Sequence, residues 1–162
     1  MSISIFQTNE INNWLTAKKT QEIMAKQAGD LVHASILSNI LLDTLEGHAP
    51  IAPGNFVCRG KDGDVWQQTM QSIHKKYVPV KVASDGWVVF SPKPENSVEC
   101  FELVGSDIPE EGYIIGAFGS KIDGFDNVQS FHRGDFVCRQ IDNHADQWIV
   151  QRGFFLNSYE VF

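Results

Sequence analysis

The sequence predicts an α+β fold, an N-terminal helix followed by two β-rich units packed as one pseudo-symmetric domain. Three observations carry that reading. First, Gly54-Asn55-Phe56-Val57-Cys58-Arg59 returns eighty residues later as Gly134-Asp135-Phe136-Val137-Cys138-Arg139, with five of six positions identical. A repeat of this length means one structural unit used twice. Second, Ile11, Trp14, Leu15, Ile23 and Met24 fall on one face of a helix, or of two short ones broken near Lys18-Lys19-Thr20. Third, Asp-Gly dipeptides punctuate short β-branched and aromatic runs, as hairpins require.

The elements follow in order. Residues 9–28 are the expected helix, capped by Thr8 or Asn9 and stopped by Gly29. The runs 31–34 and 40–42 are short strand candidates. Phe56 to Arg59 and Val65-Trp66 flank Asp62-Gly63 and predict a hairpin, with helical turns over 69–76. Trp87 to Phe90 and Val98 to Val104 predict two connecting strands, Glu99 pointing outward. In the second copy Asp146-Gln147-Trp148 answers Asp64-Val65-Trp66, and a Tyr follows each Trp by eleven residues, at Tyr77 and Tyr159. Extra length falls at 120–133, read as a loop, and between Cys138 and Trp148. These readings divide the chain into an N-terminal helical segment (1–29), a first β-rich repeat (30–80), connecting strands (81–111) and a second β-rich repeat (112–162).

The first copy, taken as Pro53-Gly54-Asn55-Phe56, Gly60, Gly63-Asp64-Val65-Trp66 and Tyr77, resembles small bacterial and phage proteins. Their pattern is Pro-Gly-Asp-aromatic, then Gly, then Gly-Glu-x-aromatic, then a closing Tyr. The resemblance covers residues 40–80, and 112–162 more loosely. Asn55 stands where the pattern has Asp, and Asp64 where it has Glu. It implies a bacterial or phage origin and carries no activity with it.

Composition narrows the function. Net charge is −7 and the pI about 5.1, so phosphate neutralisation by clustered cations is not expected. The short pairs Lys18-Lys19 and Lys75-Lys76 do not change that. No run approaches the ~20 apolar residues of a membrane span, and no leader is visible, which points to the cytoplasm. Three cysteines, with no Cys-x-x-Cys, argue against a disulfide framework or a metal site. No cofactor is expected.

The residues that could act are those kept in both copies. Arg59 and Arg139 would bind a phosphate or carboxylate, or pair with Asp64 and Asp146 across their hairpins. Trp66 and Trp148 would stack on a planar ligand, or lock each hairpin onto its helical turn. Cys58 and Cys138 read as small inward hydrophobes. Repetition of like residues suits symmetric binding better than catalysis, which needs different groups in different roles. The leading reading is a non-enzymatic module holding a small molecule or protein partner at the seam of the repeats. One alternative is a small hydrolase or transferase using Cys138 with His132 or His144. Another is a structural homo-oligomer joined through the N-terminal helix.

Overall fold

The computed structural model describes residues 3–27, 54–83 and 86–162, and the backbone at 41–44 and 47–50. The strand candidate at 31–34 lies outside these. The fold is mostly β, and the expected N-terminal helix is absent. A 3₁₀ turn at Thr8–Glu10 is followed by two strands, β1 (Leu15–Lys19) and β2 (Ile23–Gln27). The helical spacing of Ile11, Trp14 and Leu15 is not continued between Leu15 and Ile23. Burial instead alternates with period two: Ala17, Ile23 and Ala25 are inward, each with more exposed neighbours. Each strand lies between two others, so sheet packing overrides a weak helical pattern. The α+β class and the helical segment 1–29 are corrected accordingly, as is a homo-oligomer built on that helix.

The chain forms two compact units. The inserted unit, Lys19–Asn96, contains β2, the β3 (Leu41–Thr44)/β4 (Gly47–Pro50) hairpin, β5 (Phe56–Arg59), β6 (Val65–Gln68), α1 (Met70–Lys76), β7 (Tyr77–Val82) and β8 (Val88–Pro92). Its five-stranded sheet runs β6-β5-β2-β8-β7. The host unit joins Met1–Lys18 to Ser97–Phe162. It holds β1, β9 (Ser97–Glu102), β10 (Glu111–Ile122), β11 (Phe125–His132), β12 (Phe136–Gln140), β13 (Gln147–Val150), α2 (Arg152–Ser158) and β14 (Tyr159–Val161). Its sheet runs β13-β12-β9-β1-β14.

The two sheets correspond strand for strand. Cys58 opposes Trp66 on one side and Ala25 on the other; Cys138 opposes Trp148 and Cys100. One slot differs in origin. In the inserted unit the strand beyond β2 is β8, made last. In the host unit the strand beyond β9 is β1, made first. The host unit is therefore a circular permutation of the inserted one. Trp87 immediately before β8 corresponds to Trp14 immediately before β1, so all four tryptophans fall into two matched pairs.

The cores match in the same way. The host core contains Ala17, Val98, Cys100, Phe136, Cys138 and Phe155, flanked by Trp148 and Tyr159. The inserted core contains Ile23, Ala25, Cys58, Ile73, Tyr77 and Phe90, flanked by Phe56 and Trp66. The bulk is redistributed: Phe90 and Ile73 in one unit stand where Ala17 and Phe155 stand in the other.

The hairpin read from Asp62-Gly63 is present. The Gly63 N–H bonds the Gly60 carbonyl at 3.2 Å, and Gly63 takes the left-handed φ of +87° that ends a three-residue loop. In the host unit the same closure spans Gln140 to Asp146, two residues longer. The segment 120–133, expected as a loop, instead contains the end of β10, the hairpin tip and the whole of β11. Its tip is Asp123-Gly124, at φ of +52° and +84°, between the register partners Ile122 and Phe125. Two positive φ values in a two-residue loop are what a type I′ turn demands, and Asp-Gly supplies them. This hairpin, with Leu103, Ile108, Val137, Ile149 and Phe101, builds a second host core around Ile114 and Phe131.

Candidate functional site

The repeated motif divides by strand parity. Gly54 and Gly134 turn the chain at φ of +86° and +100°. The next residue is buried in both units but bonded differently. The Asn55 amide donates to Gln67 Oε1 at 3.0 Å, whereas the Asp135 carboxylate accepts from the backbone N–H of His132 (2.9 Å) and of Arg152 (3.3 Å), the first residue of α2. An anion at that helix start takes a donor the helix leaves open. Cys58 and Cys138 join the cores described above. Arg59 and Arg139, one step on, turn to the opposite face.

Each guanidinium stacks on the tryptophan of its own unit. Arg139 Cζ lies 3.9 Å from the Trp14 ring centre, and Arg59 Cζ lies 4.4 Å from that of Trp87. Beyond the stack the two differ. Arg139 Nε donates to Glu99 Oε1 at 2.9 Å, and His144 Nε2 sits 3.3 Å from the same oxygen. Glu99 is the register partner of Arg139, and the Arg139 side chain is only 12 % exposed. Arg59 is exposed, its register partner is Met24, and its Nη2 approaches the Met24 sulfur at 3.7 Å. Among the described residues no carboxylate pairs with Arg59.

This asymmetry sets an expected pair of stabilities. Arg139→Ala removes a charge-assisted bond and a buried stack and leaves Glu99 half-buried; the loss should be about 1–3 kcal/mol. Arg59→Ala removes an exposed stack and should cost no more than ~1 kcal/mol. Chemical denaturation of the two variants checks the order.

Asp64 closes its hairpin. Its backbone carbonyl accepts from the Gly60 N–H at 2.9 Å, and its carboxylate lies against Gly60. Burial raises its pKa above the ordinary 3.8, with the Lys19 ammonium and the nearby Asp64 and Gly60 amides opposing the rise. The folded chain holds this proton more tightly than the unfolded chain. Stability therefore declines as pH climbs from 3.8 through the raised value. Asp64→Asn should flatten that part of the stability–pH curve, measured by the denaturation midpoint. The Asp146 backbone closes the longer host hairpin, its carbonyl accepting from the Gln140 N–H at 3.0 Å and its N–H donating to the Asn143 carbonyl at 3.0 Å.

Trp66 and Trp148 are partly buried against the cores, opposite their cysteines. The Lys19 ammonium sits 4.3 Å from the Trp66 ring centre. Tyr77 is buried, and burial pushes its phenol far up. Burial likewise pushes the Cys58 thiol up to about 12. Cys138 is fully buried in the host core, while His132 and His144 lie 3.3 Å from Glu111 and Glu99 on exposed ground. Among the described residues no three His, Cys, Asp or Glu side chains gather to hold a metal, and no helix is long and apolar enough to cross a membrane.

The residues missed by sequence reasoning are Trp14, Trp87 and Glu99 as partners of the arginines. Trp14-Leu15 and Trp87-Val88, each opening a strand, were the available signal. The permutation hides it, because one copy precedes its motif by far more than the other follows it. No protein-family model, curated protein or solved structure matches the chain.

Proposed function

We propose that the protein is a non-enzymatic binding module in which Arg59, held over the Trp87 ring, receives an anionic group of a small molecule or protein partner. One observation carries this reading. Two arginines occupy equivalent places; Glu99 neutralises one, and Met24 stands where the other would have its carboxylate. The contact with Trp87 covers one side of the Arg59 guanidinium and leaves donors for a bidentate acceptor. A side chain ordered before binding loses less freedom on binding. Repeated, buried cysteines and core tryptophans add no asymmetric set of reacting groups, which favours recognition over catalysis.

Titration with inorganic phosphate, followed by NMR at the arginine Nε–H and tryptophan indole signals, tests this. Arg59 and Trp87 should shift saturably while Arg139 and Trp14 stay still, and Arg59→Gln should abolish the response. Equal movement of both arginines, or none at either, refutes the reading.

A further inference from the structure

Cys100 has no counterpart in the repeated motif, yet the fold sets it against Cys138. The two are direct register partners on β9 and β12. Strand parity fixes the kind of pair. The Gln140 N–H bonds the Asp146 carbonyl across β13, so Gln140, Cys138 and Phe136 all turn their amides toward that strand. The Leu103 N–H bonds the Asp135 carbonyl on the β9 side, in phase with this alternation. Cys100 and Cys138 therefore face one another with no backbone bonds between them. That is the narrow kind of antiparallel pair, with Cα atoms about 4.5 Å apart, within the ~4.4–6.8 Å that disulfides span. Both side chains lie on the same face and in the same core cluster, with no exposed surface. The inserted unit has the same narrow pair at Cys58 and Ala25, where one thiol is missing.

We infer that Cys100 and Cys138 form a site of oxidative modification, closing a cross-strand disulfide in the host unit when the chain meets hydrogen peroxide. In the first step one thiolate attacks a peroxide oxygen. The O–O bond breaks, hydroxide leaves, and the sulfur becomes a sulfenic acid. In the second the facing thiol attacks that sulfur, the S–O bond breaks, and water leaves as the S–S bond forms. Both sulfurs are oxidised and one peroxide is reduced to two waters. Burial pushes the Cys100 thiol up to about 11, so the intact sheet keeps that thiol protonated and the reaction proceeds as β9 and β12 open locally. The bridge would lie one residue from the Glu99–Arg139 pair, on the same two strands.

The test uses the full chain with hydrogen peroxide, followed by mass mapping of peptides without reductant. The expected product is lighter by two hydrogens, links the Cys100 and Cys138 peptides, and keeps Cys58 as a free thiol. Dithiothreitol should reverse it. Cys100→Ala, which places in the host unit the residue that the inserted unit carries there, should abolish it, and Cys58→Ala should leave it intact. Three free thiols after exposure overturn the inference. So does a bridge involving Cys58 or a second copy, or oxidation of Cys138 to a sulfinate with Cys100 still reduced.

Discussion

Replacing Phe155 with alanine is expected to destabilise the host unit by about 3–5 kcal/mol. Phe155 is 1 % exposed and lies between two parallel rings, Phe136 at 3.8 Å and Tyr159 at 4.9 Å, both tilted by only 8°. Removing it deletes a large buried ring, forfeits two stacking contacts and leaves a cavity beneath α2. The neighbours that would have to fill that space belong to β12 and β14, which the sheet holds in place. The comparison between units adds a sharper expectation. The inserted core puts Ile73 on its helix and Phe90 on its strand, where the host core has Phe155 and Ala17. Phe155→Ile should therefore be costly alone and partly rescued by Ala17→Phe. Denaturant unfolding, read on the transition that carries the host unit, measures both. A loss below ~1 kcal/mol for Phe155→Ala would mean that the core of this unit is not organised around α2.

Moving β1 to the other end of the host unit should preserve it. Residues 97–162 alone lack the strand between β9 and β14, and with it Ala17 from the core and Trp14 from the Arg139 stack. That piece should be unfolded, since exposing the edges of both neighbouring strands removes more than the few kcal/mol a small unit has in reserve. Joining residues 11–18 after Phe162 through a short flexible linker should restore it. The Phe162 N–H already bonds the Thr16 carbonyl at 3.1 Å, so the linker need cross no core. Residues 19–96 carry all five strands of their own sheet and should fold by themselves. Circular dichroism and amide dispersion distinguish the three chains.

Much of the β structure was legible. Asp62-Gly63 located the first hairpin, the runs at 87–90 and 98–104 located β8 and β9, and residues 69–76 announced α1. The helix at 9–28 failed because Ile11, Trp14 and Leu15 satisfy a helical face only locally. What makes β1 and β2 strands is their neighbours, β9 and β14 flanking β1 and β5 and β8 flanking β2, none of which follows from the local pattern. Asp123-Gly124 was as strong a turn signal as Asp62-Gly63. It was overlooked because 120–133 was treated as inserted length between repeats, and insertions favour loops. The arginines were singled out as the part of the motif that the hairpin did not explain. Their partners were not found, because Glu99 and Met24 enter by strand register, and Trp14 and Trp87 by a permuted one. The salt bridge to Asp64 or Asp146 imagined for both was a hairpin argument. Glu99 and Met24 come from the strand on the other side.

The permuted order also imposes a timetable on synthesis. β1 is made first, but its neighbour β9 begins at Ser97 and its other neighbour β14 at Tyr159. At ~5–20 residues per second, β1 waits roughly 4–16 s for the first of them and longer for the second. In that interval the whole of residues 19–96 emerges, with every strand of its own sheet, and can close while the host unit is still incomplete. The insertion thus separates two similar sheets in time as well as in sequence. By the time β9 and β12 could compete for β2 or β8, those strands are already paired.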